Sequence, residues 1–323
     1  MRNLLKTVAA GTVLLAASTA AAENWDLPAA YPANNYHTET LQSFADMVAE
    51  KTDGEITITV HPNGSLYKGE EIKRAVQTGQ AQIGERLISA LSNEDPLFGL
   101  DAVPFLASDF ESARKLYEAS RPAFEELLAS QNLHLLYTVV WPPQGLYTQK
   151  PIETAADMQG VKFRAYNPAT ARLSELTGAV PTQIEAAEVP QAFATGTVES
   201  MISSGATGYD SKLWEHAAYF YDVQAWLPKN MIFVNLDVWE DLGDEQRQAI
   251  EEAAAAAEEA GWARAEELAQ WYKDELAANG MTVAAPSEQF KAELQEIGAT
   301  MTEEWLANAG ETGKEVVEKY RSM

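Results

Sequence analysis

The chain contains no cysteine among its 323 residues. That removes disulfides, thiolate nucleophiles and cysteine-ligated metals together. Histidine is scarce as well. His37, His61, His134 and His216 are widely spaced, and none falls in an H-E-x-x-H or comparable metal pattern. Asn63-Gly64-Ser65 does not supply the G-x-S-x-G turn of a nucleophile elbow, and there is no glycine-rich phosphate loop or dinucleotide fingerprint. Basic residues are few, 23 Lys and Arg against 48 Asp and Glu, so the formal net charge is −25. A surface of that sign repels nucleic acid and anionic membranes, and an anionic ligand would need a locally positive pocket. No metal, no cofactor, no nucleic-acid partner and no catalysis are therefore expected. A secreted hydrolase or lyase stays open as an alternative, because with so many acids some carboxylate pair can face a groove by chance.

Long apolar runs are also missing beyond the start. Arg2 and Lys6, an apolar stretch from Thr7 to Ala17 and the small residues Ala20-Ala21-Ala22 have the form of a secretory signal peptide over 1–22, cut after Ala22. The apolar stretch is too short for a mature anchor, and no cysteine follows to carry a lipid. Those 22 residues hold two basic groups and no acid, so the exported chain carries −27. A chain of this length without disulfides must be held by burial alone, and it is long enough for two lobes.

Along the remaining chain, strand-like and helix-like patterns alternate. Trp25 to Ala30 reads as a strand, and Leu41, Phe44, Ala45 and Val48 give a helix over 39–51 one apolar face. Ile56, Ile58 and Val60 alternate with threonine, as in a half-buried strand, and 69–78 is a second helix. The order repeats with a helix over 110–130, a strand over 133–140, a strand over 161–163, a helix over 167–177 and a returning strand over 231–234. This is α/β order and predicts largely parallel sheets. Trp141-Pro142-Pro143 halts a strand and marks a crossover between lobes. Ala, Glu and Gln dominate 244–279, a helix of about 50 Å that outreaches one lobe. A last helix is expected over 287–306.

The most informative stretch runs from Gly160 to Ser204. It opens Gly160-Val161-Lys162-Phe163-Arg164 and continues through a Gly178-Ala179-Val180-Pro181-Thr182 turn to Thr195-Gly196-Thr197-Val198-Glu199-Ser200-Met201. With Lys73-Arg74-Ala75-Val76-Gln77-Thr78-Gly79, Ala156-Asp157-Met158-Gln159-Gly160 and Trp239-Glu240-Asp241-Leu242 in order, nearly the whole exported chain resembles the solute receptors of tripartite ATP-independent periplasmic (TRAP) transporters, the dicarboxylate-receptor-like kind. The resemblance implies a two-lobed periplasmic binding protein fold with crossover hinge strands and a long helix bracing both lobes. Lobe I would cover 23–147 with a return segment about 235–265, and lobe II 148–234 with a C-terminal segment about 280–323. It implies a monomer that binds a small organic acid in the periplasm and delivers it to the small and large permease subunits. A receptor of an ATP-driven importer, or a ligand sensor, shares the same trap.

In that family the arginine matching Arg164 clamps the ligand carboxylate, as a planar fork with two parallel donors would. Trp141, Tyr147, Tyr31, Asn35, Asn167 and Tyr209 are expected around it as wall and orienting groups. Sialic acid receptors of the family carry a second arginine where Gln144 stands, an asparagine where Ser203 stands and an aromatic residue where Ala186 stands. The missing cation points to a small monocarboxylate. Glu85-Arg86 is an unusual pair at a strand end, expected to be bonded to each other or to neighbours. Should Glu85 face the cleft, it or Glu185 could take an ammonium group, and the ligand would be an amino acid or amino alcohol.

Overall fold

The computed structural model describes residues 22–323, so the expected signal peptide lies outside the described residues but for its last position. The first half runs β1 (Glu23–Pro28), α1 (Tyr36–Lys51), β2 (Ile56–His61), α2 (Gly69–Gln77), β3 (Ile83–Leu87), α3 (Phe110–Ala129) and β4 (Leu133–Val140). Then come β5 (Gly145–Thr148), β6 (Lys162–Ala165), α4 (Pro168–Leu176), β7 (Val180–Gln183), α5 (Val189–Ala194), β8 (Ser200–Ser203), α6 (Gly205–Asp210) and β9 (Tyr219–Tyr221). The chain closes with β10 (Lys229–Asn235), α7 (Leu236–Asp241), α8 (Asp244–Ala278), β11 (Thr282–Ala284), α9 (Glu288–Asn308) and α10 (Gly310–Arg321).

Two lobes follow from the pairing. One holds the parallel pair β1-β2 and the sheet β3-β10-β4; the other holds the six-stranded sheet β11-β9-β5-β8-β6-β7. The sheets are mixed rather than largely parallel, and the reason is the crossover. The chain leaves β4 through 141–144 and enters the second sheet as β5, antiparallel to β8 and β9. It returns from β9 through 222–228 and enters the first sheet as β10, antiparallel to β3 and β4. The two crossover segments lie side by side, joined by Trp141 N–H to Pro228 O (2.8 Å), Gln144 N–H to Trp226 O (3.0 Å) and Ala225 N–H to Gln144 O (3.0 Å). Pro142 and Pro143 sit where no ladder donor is required of them. The divisions expected at 148 and 234 cut through this pattern: all of β5 belongs to the second sheet and all of β10 to the first. The tail divides too, since α9 packs on α4 whereas α10 returns to α3.

Helix α8 packs on α1 and β4, then on α6 and β11, and so braces both lobes. Its alanines are the contact itself. Ala253, Ala254 and Ala257 are buried, and small side chains let α1 and β4 come close. Trp262 fixes the register by donating from Nε1 to Thr138 O at 3.1 Å. Fully buried Trp25, Phe44, Tyr137 and Trp226 belong to one apolar cluster that runs from the first lobe through the crossover. Each such side chain contributes about 1.5–3 kcal/mol of burial free energy, which replaces the absent disulfides.

Candidate functional site

A narrow cleft with a cavity volume of about 40 Å³ lies between the closed lobes, at the carboxyl ends of β3, β6 and β8. Strand ends of this kind point side chains into the crevice while the sheets hold their backbones. Arg164, on β6, is 4% exposed. Its Nε donates to Ile184 O at 2.9 Å, and its guanidinium lies 4.8 Å from the centre of the Tyr166 ring. Among the described residues no carboxylate lies within ion-pair distance of it. Burial lowers its pKa, with Tyr166, Glu185 and Tyr31 opposing that shift. The outer fork of a desolvated cation is thus left for an anion from outside.

The walls are fixed by side-chain chains that begin away from the cleft. Trp226 Nε1 donates to Tyr166 Oη (3.2 Å), and Tyr166 Oη donates to Gln144 Oε1 (3.0 Å). Gln144 Nε2 in turn donates to Pro142 O (3.0 Å). Gln144 therefore lines the cleft but spends its amide on holding Tyr166 against Arg164. Opposite, Trp141 donates from Nε1 to Asn230 Oδ1 (2.9 Å), and Asn230 Nδ2 donates to Glu85 Oε1 (2.9 Å). His37 stacks on Trp141 at 4.0 Å, and Tyr31 tilts against it at 4.8 Å. These rings form an apolar plate facing the arginine. Burial lowers the pKa of His37, so its ring packs as a neutral aromatic. Ser203 lines the cleft beside Ser204 and Thr207.

Of the ten expected residues, Tyr31, Trp141, Gln144, Arg164 and Ser203 line this cleft, and the other five are placed elsewhere. Glu85 is 1% exposed and sits behind Trp141, bonded to Asn230 and 3.5 Å from His37 Nδ1. It is not among the residues that line the cleft. Tyr147 is buried under α6: its hydroxyl donates to Ser204 O at 2.8 Å, and Gly208 leaves the space it fills, since a Cβ there would stand 2.1 Å from the hydroxyl. Tyr209 packs against Trp271 and Tyr272 of α8.

The remaining two, Asn35 and Asn167, are helix caps that also bridge the lobes. Asn35 Oδ1 accepts from His37 N while its Nδ2 donates to Asp210 Oδ2 at 2.6 Å. Asn167 Oδ1 accepts from Thr170 N while its Nδ2 donates to Ser89 Oγ at 2.9 Å. A third bridge joins Arg86 on β3 to Glu185 beyond β7. Nη1 donates to Oε2 at 3.2 Å and Nη2 to Oε1 at 3.3 Å. Arg86 thus pairs with a neighbour in space 99 positions away rather than with Glu85. Leu87, Ala90, Glu185, Ala186 and Pro228 complete the lining; of these only Glu185 and Ala186 carried a signal in the sequence.

Asp210 supplies a pH test of the bridges. Burial raises its pKa to about 6, against the bond from Asn35, which lowers it. The folded value lies above the unfolded one, so its contribution to stability is complete below pH ~4 and is lost as pH rises through about 6. Wild type should therefore gain stability over Asp210→Asn between pH 7 and 4.5, by on the order of 2 kcal/mol in paired denaturant melts. A difference that does not move with pH contradicts the assignment.

Among the described residues no cluster of His, Asp or Glu could hold a metal ion, and no helix is long and apolar enough to cross a membrane. Two lobes, a paired hinge and a buried unpaired guanidinium between them define a ligand receptor of the closing-trap class. The chain belongs to the family of bacterial extracellular solute-binding proteins, family 7, which it matches over residues 29–308. Its fold superposes on DctP6, a Bordetella pertussis extracytoplasmic solute receptor binding pyroglutamic acid. The TM-score is 0.92 with 47% identity, over 93% of this chain and all of that one. A marine metagenome TRAP solute-binding protein specific for pyroglutamate gives 0.93 with 49% identity, over 94% of this chain and 100% of that one. The ectoine-binding periplasmic protein TeaA of Halomonas elongata is 23% identical, over 99% of this chain and 96% of its own. The resemblance seen in the Gly160–Ser204 stretch is thereby borne out, and the chain is a TRAP-type solute receptor.

Proposed function

We propose that this receptor binds a small monocarboxylate, pyroglutamate or a close cyclic relative, in the periplasm. It then delivers the acid unchanged to the small and large subunits of a TRAP permease. The observation that carries the reading is Arg164: a buried cation whose outer fork has no protein anion among the described residues, facing a plate of aromatic rings. A carboxylate takes the fork with two charge-assisted hydrogen bonds, and a compact uncharged ring packs against Trp141 and Tyr31. Receptors that share nearly half of this sequence over their whole length are pyroglutamate proteins, which supports the same class here.

Closure is the mechanism. Ligand touches groups from both lobes at once, so its differential affinity shifts the population toward the closed form. Arg164, Tyr166 and Ser203 hold one side, Tyr31 and Trp141 the other. Lobe I then comprises residues 23 to about 140 with β10, α7 and α10, and lobe II about 145–221 with β11 and α9. The leader is removed after Ala22, the working unit is a monomer, and the energy for uptake comes from the permease's ion gradient. No bond in the ligand is made or broken.

A thermal-shift panel on residues 23–323 tests this. A ligand at 100 times its dissociation constant stabilises the native state by about 2.7 kcal/mol, or roughly 5 °C for a chain of this size. Pyroglutamate is expected to give that shift, with mass spectrometry recovering it intact after overnight incubation. Loss of the compound over that time would mean an enzyme, and a shift from amines alone would remove the arginine clamp.

A further inference from the structure

Among the described residues three charged side chains reach the cleft: Arg164, Arg86 and Glu185. Two of them are already spent on each other. Both oxygens of Glu185 accept from Arg86, one from each terminal nitrogen. A ligand ammonium therefore meets no free carboxylate, and a second ligand carboxylate meets no free guanidinium. The pair is also built to fit. Gly69 opens α2 directly above it, and a Cβ there would stand 2.5 Å from Arg86 Nη1 and 2.8 Å from Glu185 Oε2. Arg86 is 6% exposed and its Nε already lacks a partner, so a ligand that pulled Glu185 away would strand a buried cation.

Resting on the receptor reading above, we propose that the Arg86–Glu185 pair is a charge filter that restricts the cleft to monoanions with an uncharged remainder, rejecting zwitterionic amino acids and dicarboxylates. Rejection works by occupying the groups such ligands would need, as an interface excludes a wrong partner by leaving its charge unpaired. Because Arg86 lies on β3 of one lobe and Glu185 follows β7 of the other, the filter is assembled only when the lobes meet. A ligand with a surplus charge is thus refused at closure rather than at first contact with Arg164. The filter also separates two compounds of nearly equal shape: pyroglutamate, whose ring nitrogen is an uncharged amide, and proline, whose ring nitrogen is an ammonium.

Neutralising either partner changes the charge of the cleft in opposite directions. Glu185→Gln leaves two unpaired guanidinium groups, and Arg86→Gln leaves one guanidinium with one free carboxylate. Titration calorimetry of wild type and both variants with pyroglutamate, proline and succinate reads the outcome, with circular dichroism reporting that each variant is folded. Wild type is expected to bind pyroglutamate and to take proline and succinate at least about a hundredfold more weakly. Glu185→Gln should bind succinate at least about tenfold more tightly than wild type does, and Arg86→Gln should gain proline by a similar factor. A folded Glu185→Gln protein that keeps the wild-type order of preference, or binds no acid at all, overturns the filter. So does a wild-type protein that takes proline as readily as pyroglutamate, while leaving the receptor reading intact. Wild type that binds none of the three compounds sinks the pyroglutamate reading on which the filter rests.

Discussion

Arg164→Ala is expected to lower affinity for pyroglutamate at least about a hundredfold, and to do so without destabilising the unliganded protein. Removing one partner of a buried, hydrogen-bonded charge pair typically costs about 2–5 kcal/mol or more, and here the ligand's carboxylate would be the charge left stranded. The second half of the expectation separates a binding role from a structural one. Arg164 holds a single hydrogen bond of its own, Nε to Ile184 O, and burial already disfavours its charge. Deleting it takes a desolvated cation out of the unliganded closed cleft, so the melting temperature without ligand should stay level or rise. Arg164→Lys should recover only part of the affinity, because an ammonium has no planar fork and cannot keep the Ile184 bond while engaging both carboxylate oxygens. Calorimetry with pyroglutamate and melts without it check both halves. A variant that loses stability and affinity together would make Arg164 a packing residue.

The largest effect on stability is expected at a pair that touches no ligand. Lys229 and Asp101 are both buried, with Nζ 3.3 Å from Oδ2, and Asp101 Oδ2 also accepts from Lys229 N at 2.8 Å. Burial pushes the Asp101 pKa up and the Lys229 pKa down, with each group's charge opposing the shift of the other. Lys229 opens β10 immediately after the hinge residue Pro228, so the pair pins the returning crossover to the helical turn at Pro96–Ala102. Lys229→Met leaves a buried carboxylate without its cation and should cost about 3–5 kcal/mol at pH 7. The Asp101 value is already raised, and losing Lys229 raises it further. The loss should therefore shrink as pH falls and the carboxyl takes up a proton. Lys229→Met combined with Asp101→Leu should regain most of the stability, since an apolar pair of similar volume needs no charge compensation. Denaturant melts of the single and double variants at pH 7 and pH 4.5 check this. A single variant within 1 kcal/mol of wild type would show that the pair carries little.

What could be read from the sequence follows the range of the forces involved. Apolar periodicity is local, so α1, β2, α3, β4 and α8 fall within a few residues of expectation. Helix α10 has a weaker signal because it is short and carries few apolar residues: Val316, Val317 and Tyr320, beside Gly313, make its inward face. The short strands β5, β8 and β9 are legible only through their partners. Four residues such as Ser200–Ser203 have no period of their own, and their pairing with β5 is set by the crossover. The same distinction runs through the cleft. Arg164 could be placed because a strand end and a motif locate it. The choice of partner for a polar side chain could not, since Asn35, Arg86 and Asn167 bond to Asp210, Glu185 and Ser89 on the opposite lobe. Asn35 and Asn167 were expected as ligand groups, yet of the three only Arg86 lines the cleft, and the bonds of all three close the lobes on each other. Tyr147 shows the converse: an aromatic residue beside the hinge whose ring is drawn into the second-lobe core by Phe220 and the gap at Gly208.

The most direct test of the account is calorimetric titration of the mature wild-type chain with L-pyroglutamate. One site per chain is expected, with a dissociation constant at or below about 1 µM and a negative heat-capacity change as the ring leaves water between Trp141 and Tyr31. No heat at millimolar ligand, with no shift in melting temperature, would contradict it.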